Sequence, residues 1–170
     1  MNKIMVLTVF AVLSFFQYGN AQDVNFGAKA GMNFANLTGG NSERLGKVDF
    51  HVGFVTEFVF RRGLFGAQPE LLYSRQGSSS GSNSLDYISL PLMLKFFPLK
   101  SLSMDIGPQY SFLINGKDTG ANNADFGVNI GLGYDLKNNV FAQARYNLGI
   151  TNAYGDLNNS VFQFSVGYKF

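Results

Sequence analysis

The chain has 170 residues, of which 46% are hydrophobic and only 14% are charged, against about 25% charged residues in an average soluble domain. Its 13 basic and 11 acidic residues form no basic stripe, which excludes a nucleic-acid-binding surface of the usual kind. The length suits one domain, and the absence of cysteine excludes a disulfide framework, a thiolate metal site and a lipid-modified N-terminal cysteine.

Residues 1–21 have the features of a secretory signal peptide. Lys3 supplies the positive start, an apolar stretch runs from Ile4 to Phe16, and Gly19-Asn20-Ala21 is a small-x-small cleavage site. The apolar stretch is too short for a membrane-spanning helix, which needs about 20 residues. The sequence therefore predicts cleavage after Ala21 and one mature domain over residues 22–170.

Beyond the signal, apolar residues alternate with small or polar residues, the pattern of β-strands. Each series places its large apolar side chains on one face and mostly Gly, Ser, Asn and Gln on the other. About eight such series follow in the chain, an even number that suits a closed antiparallel barrel. They are Phe26–Phe34, Phe50–Phe60, Phe65–Tyr73, Ile88–Phe96, Met104–Phe112, Phe126–Tyr134, Val140–Leu148 and Phe162–Phe170.

The connections between the predicted strands alternate in length. Short turns are predicted at 61–63, 98–101 and 136–139. Longer segments rich in Gly, Ser and Asn are predicted as loops at 35–47, 76–84, 115–124 and 151–159. Short periplasmic turns and long extracellular loops are the expected asymmetry of outer-membrane barrels.

Three prolines, Pro69, Pro91 and Pro108, fall inside predicted strands. Proline cannot donate a hydrogen bond to a neighbouring strand, so sheets confine it mostly to edges and bulges. The sequence therefore predicts bulges or strand ends at these positions.

The two faces of the predicted strands indicate which one contacts lipid. A soluble ligand-carrying barrel keeps its apolar residues inside and charged, bulky residues outside, whereas small residues suit the narrow lumen of a barrel of about eight strands. The apolar face is therefore expected to point outward into the membrane. Aromatic residues near strand ends are expected to form the interfacial girdles: Phe34, Phe50, Tyr73, Tyr110, Tyr146 and Tyr168.

Several stretches carry a family resemblance, among them GAKAGMNFANL in the first strand, DYISLPLMLKFF in the fourth and GVNIGLGYDL in the sixth. In these stretches the chain resembles the small outer-membrane barrel proteins described as PorT-like or porin-family, and more distantly the OmpA and OmpX barrels. The resemblance implies an all-β, eight-stranded antiparallel up-and-down transmembrane barrel in the outer membrane of a Gram-negative bacterium. The terminal FQFSVGYKF is similar to the end that outer-membrane assembly machinery recognises, which implies that machinery as a partner and an assembly signal at Phe164, Val166, Tyr168 and Phe170.

Six charged residues are assigned to the barrel interior. Because buried charges are seldom left unpaired, the sequence predicts a mutually neutralising network that fills the lumen. The functional alternative is a gate in which a pair such as Glu70 and Lys95 exchanges partners and opens a narrow water path. The six residues are Lys29, Glu57, Glu70, Lys95, Asp105 and Arg145.

Enzymatic activity is a remote alternative that depends on His51, the single histidine. Asp49 lies two residues away on the same face, and Ser74 or Ser111 is placed to approach the same level, so an acid, a base and a nucleophile of a hydrolase can be nominated. No nucleophile motif accompanies them. One histidine with scattered carboxylates also falls short of the ligands of a metal site, and the sequence predicts no cofactor.

The function favoured by these observations is a non-enzymatic structural or adhesive role through the extracellular loops. Open aqueous pores belong to barrels of about 16 strands, so a narrow channel for ions or small solutes is the alternative. The expected partners are outer-membrane lipid and an unidentified extracellular molecule, with no nucleic acid.

Overall fold

The computed structural model describes residues 23–38, 44–60, 63–77, 84–115, 124–154 and 157–170. The predicted signal peptide and its cleavage site lie outside these residues and stay a prediction. Within the described ranges, no helix is long and apolar enough to cross a bilayer.

Eight antiparallel strands form a closed barrel in which each strand pairs with its neighbours in the chain. The last strand returns to the first, so that Ala30 lies opposite Val166 and the sheet has no open edge. This closure satisfies the backbone groups that hydrocarbon cannot, and it confirms the predicted architecture. The strands are β1 (Asp23–Thr38), β2 (Arg44–Val59), β3 (Phe65–Gly77), β4 (Ser84–Leu99), β5 (Leu102–Asn115), β6 (Ala124–Asp135), β7 (Val140–Tyr154) and β8 (Leu157–Lys169).

The outer face is apolar, as predicted. Burial in β5 alternates residue by residue, and the exposed positions are Met104, Ile106 and their outward neighbours. Aromatic side chains pair across strands on this face: the ring centroids of Phe34 and Phe162 are 6.4 Å apart and those of Phe65 and Phe96 are 5.4 Å apart. Of the six predicted girdle residues, Tyr73 is partly exposed and five are exposed: Phe34, Phe50, Tyr110, Tyr146 and Tyr168.

The predicted bulges or strand ends at the three prolines are wrong. Pro69 pairs with Leu92 inside β3 and β4, and Pro108 pairs with Val128 inside β5 and β6. The register does not shift at either proline or at Pro91. Each proline removes a single donor and lies in a two-residue gap of one of its two ladders, but the register is the same before and after the gap.

The connections at the two ends of the barrel differ less in length than predicted, because the strands at the predicted long-loop end extend further than expected. β1 continues to Thr38 and β7 to Tyr154, into segments predicted as loops. Apolar alternation stops where the lipid stops, whereas backbone pairing needs no apolar side chains and continues beyond it. The connections at 39–43, 78–83, 116–123 and 155–156 lie outside the described residues.

Candidate functional site

The lumen is the candidate functional site, because most of the polar and charged side chains of the described strands point into it. Lys29 in β1, Glu57 in β2 and Arg145 in β7 are all buried there. The exposed fraction is 2% for Arg145 and 0% for Asn129. A continuous water-filled passage would expose these groups, so the lumen is packed with side chains at their level.

The charges nearest the short-turn end converge on Glu57. Its two carboxylate oxygens accept hydrogen bonds from Lys95 Nζ at 2.6 Å and from Lys169 Nζ at 2.7 Å. Lys169 Nζ also donates to Asp135 Oδ1 at 2.8 Å. The Nζ atoms of Lys95 and Lys169 stand 5.4 and 5.7 Å from the ring centroids of Phe97 and Phe141, respectively.

A glutamine joins this group to a second one at mid-barrel. Lys95 Nζ donates to Gln68 Oε1 at 2.9 Å, and Gln68 Nε2 donates to Glu70 Oε1 at 2.6 Å. Glu70 then accepts from Lys29 Nζ at 2.8 Å and, with both oxygens, from the Arg145 guanidinium at 2.7 and 2.9 Å. The nominated gate residues Glu70 and Lys95 do not bond to each other directly, because Lys95 bonds to Glu57 and Gln68. The exchange of partners between Glu70 and Lys95 stays a prediction.

Asp105 completes the lumen charge network. Gln143 Nε2 donates to Asp105 Oδ2 at 2.8 Å, Ser103 Oγ donates to Asp105 Oδ1 at 2.7 Å, and Gln143 Oε1 accepts from Lys29 at 2.9 Å. All six residues nominated from the sequence thus lie in one connected set. In this network four cations face four carboxylates: Lys29, Lys95, Arg145 and Lys169 against Glu57, Glu70, Asp105 and Asp135.

His51 lies in a separate uncharged cluster. Its Nδ1 is 2.8 Å from Asn33 Oδ1 and its Nε2 is 2.7 Å from Ser165 Oγ. The amide nitrogen of Asn33 donates to Ser74 Oγ at 2.9 Å, which leaves Asn33 Oδ1 as an acceptor. The inferred tautomer therefore carries its proton on Nδ1, and Ser165 donates to Nε2.

Ser165, His51 and Asn33 are thus hydrogen-bonded in a row. A serine bonded to a histidine that a third group orients is the arrangement that activates a hydroxyl in hydrolases. However, His51 is 1% exposed and Ser165 is 3% exposed, so no substrate has access to the hydroxyl. Of the nominated nucleophiles, Ser74 lies opposite His51 in the pairing of β2 with β3 and accepts a hydrogen bond from Asn33, whereas Ser111 bonds to Ser89. No group of His, Cys, Asp or Glu among the described residues is placed to hold a metal ion.

The sequence interpretation missed a set of large apolar residues inside the barrel. Tyr87 and Leu113 contact each other in the lumen, and Leu72 and Met93 are fully buried. The sequence contained a sign of them, because each is a large apolar residue at a strand position where the alternation predicts a small or polar one. Together with the polar groups they fill space that a water path would need.

A cavity of about 530 Å³ opens at the short-turn end. Its wall includes charged groups of the lumen charge network, Glu57, Asp135 and Lys169, and the apolar side chains of Phe97 and Leu136. It forms a vestibule below the packed part of the lumen.

The comparisons with known proteins agree with this architecture. The profile of a family described as outer membrane protein beta-barrel domain matches residues 7–170, whereas no curated protein matches the chain. The fold is similar to the crystal structure of Ail, the attachment invasion locus protein of Yersinia pestis, in complex with the heparin analogue sucrose octasulfate. That match has a TM-score of 0.59 and 14% identity over 87% of this chain and 99% of that one. Neisserial surface protein A matches with a TM-score of 0.54 and 15% identity over 87% and 99%.

Proposed function

Because the chain belongs to the outer membrane protein beta-barrel domain family and resides in the cell outer membrane, we propose that it is a non-conducting surface protein that binds extracellular partners at its loop end. The packed lumen carries this proposal. A barrel of about eight strands is just wide enough for side chains to fill, and here Arg145, Asn129 and their neighbours fill it. A rigid, closed barrel leaves the connecting loops as the part free to specialise.

The fold neighbours are consistent with such a role. One of them is named as an attachment and invasion protein and the other as a surface protein. We propose that this chain is a non-enzymatic surface protein, since the hydroxyl of Ser165 is buried beside His51. The PorT-like, porin-family affiliation suggested by the sequence is part of the same proposal.

The C-terminal strand is proposed as the segment that the outer-membrane assembly machinery recognises. Its outward residues form an uninterrupted apolar row, the alternation expected of such a signal. The row consists of Phe164, Val166, Tyr168 and Phe170, all exposed on the outer face.

A loop exchange tests the binding role. We expect a Gly-Ser replacement of equal length at 116–123 to abolish adherence of protein-expressing cells to immobilised extracellular-matrix glycoproteins. The matched control is a scramble of 78–83, a segment already composed of Ser, Gly and Asn, which is expected to keep adherence. Adherence that is the same with and without the protein, or that survives the exchange, contradicts the proposal.

Conductance in planar bilayers distinguishes this role from a channel. The refolded barrel, verified by its heat-modifiable mobility on gels, is expected to be electrically silent because the charged groups of the lumen are paired and buried. Reproducible single-channel steps that change in a Glu57→Gln variant would instead establish the narrow-channel alternative.

A further inference from the structure

The apolar outer surface of the barrel continues into the turns at the short-turn end. Leu99, at the turn between β4 and β5, is 66% exposed, and Leu136, at the turn between β6 and β7, is 48% exposed. Leu64, just before β3, is exposed as well. These leucines extend the apolar surface to the ends of the strands, where exposed polar residues such as Asn138 adjoin it. Lys100 and Leu136 also line the vestibule.

Each of two turns places a lysine directly after its exposed leucine. Lys100 follows Leu99 and Lys137 follows Leu136, and both lysines are exposed. In the part of the chain that the structure describes, neither has an ion-pair partner. The carboxylate nearest in sequence to Lys137, Asp135, is bonded to Lys169 at 2.8 Å.

Backbone hydrogen bonds fix these turns into a short-turn rim, defined here as residues 99–101 and 136–139. Asp135 N donates to Ser101 O at 2.7 Å, which joins the two turns, and Lys169 N donates to Asn139 O at 2.8 Å, which joins the rim to β8. Asn138 and Asn139 both have φ of 61°, in a left-handed region that Asn tolerates better than most residues. The leucines and lysines are therefore presented on a rigid support.

We propose that the short-turn rim binds anionic phospholipid headgroups of the periplasmic leaflet, with Lys100 and Lys137 contacting the phosphates and Leu99 and Leu136 anchored among the acyl chains. Continuity with the lipid-facing surface favours lipid over a soluble ligand. Lysine stems lie along apolar surface while their ammonium groups reach the interface. Cations at that depth attract acidic lipids.

Lipid retention by the full mature chain tests this proposal. The protein is reconstituted in nanodiscs of equal parts phosphatidylcholine and phosphatidylglycerol, and native mass spectrometry measures the ratio of the two lipids retained on the barrel. We expect phosphatidylglycerol to be preferred, and the Lys100→Gln/Lys137→Gln variant to lose about tenfold of this preference. Both lysines are exposed, so the gel mobility of the folded barrel is expected to be unchanged.

The matched control is Lys47→Gln/Lys117→Gln, which removes the same charge from β2 and from the connection between β5 and β6. It is expected to keep the preference of the unmodified protein, because phosphatidylglycerol is available in both leaflets of the nanodisc. An unchanged lipid preference in the rim variant overturns the proposal. It would instead favour an acidic periplasmic protein as the partner of the two lysines. An equal loss in the control also overturns it, since it makes the preference an effect of net charge.

Discussion

Replacing Glu70 with glutamine is expected to lower the free energy of unfolding by about 3–5 kcal/mol. Glu70 is the acceptor shared by Lys29 and Arg145, at distances of 2.7 to 2.9 Å, and all three side chains are buried. The Glu70→Gln variant leaves two cations facing Asp105 as the remaining carboxylate of this group. Guanidinium unfolding in phospholipid vesicles, followed by far-UV circular dichroism, measures the loss.

Two further variants separate a charge effect from a packing effect. Glu57→Gln is expected to lower the free energy of unfolding by less than Glu70→Gln does. Its partner Lys169 is partly exposed at the vestibule and retains its ion pair with Asp135. The double variant Glu70→Gln/Arg145→Gln is expected to lose less free energy of unfolding than its two single variants lose together, since it removes a cation along with the carboxylate. If Glu70→Gln costs no more than Ser103→Ala, the buried ion pairs do not hold the lumen together.

Replacing Gly31 with alanine is expected to destabilise the barrel by about 3 kcal/mol, the upper end of the range for overpacking. A Cβ atom at this position would overlap the carbonyl oxygen of Phe164 and would lie 2.7 Å from both His51 Cε1 and Ser165 Cα. Phe164 and Ser165 belong to β8, which pairs with β1 to close the barrel. The added methyl group therefore pushes the closing strands apart.

Gly133→Ala is the matched control on the same inner face. The nearest atom to its added Cβ is the Ser103 hydroxyl at 2.5 Å, a side chain that can rotate away. We expect a smaller loss of stability in the same denaturant series. Equal losses for the two variants would mean that the approach of β8 to Gly31 is less close than the structure has it.

The number of strands, the short turns and the outward apolar face were predictable from sequence because each has a local cause. Lipid on one side and a narrow lumen on the other impose a period of two, which is visible in residues such as those of β6. The mid-strand prolines were mispredicted because tolerance of Pro69, Pro91 and Pro108 depends on the pairing of their neighbours, which is not encoded at the proline itself.

The partners inside the lumen were harder to predict than its composition. His51 meets Ser165, 114 positions away in the chain, because β1, β2 and β8 are adjacent in the closed barrel and their registers bring the two side chains to one level. The same holds for Glu70, whose partners lie on β1 and β7. Residue type indicates which groups are buried, and only closure and register determine which of them meet.

Thiol accessibility most directly tests the claim of an outward apolar face around a packed lumen, and the absence of native cysteine makes single substitutions unambiguous. Asn129 is 0% exposed in the lumen, Ile130 is 55% exposed on the outer face, and Lys137 in a turn is the exposed reference. In vesicles, the Ile130→Cys variant is expected to react only with a lipid-soluble maleimide, Lys137→Cys with a charged methanethiosulfonate, and Asn129→Cys with neither. Rapid reaction of Asn129→Cys with the charged reagent would reveal a water-filled lumen, and reaction of Ile130→Cys with it would reverse the two faces.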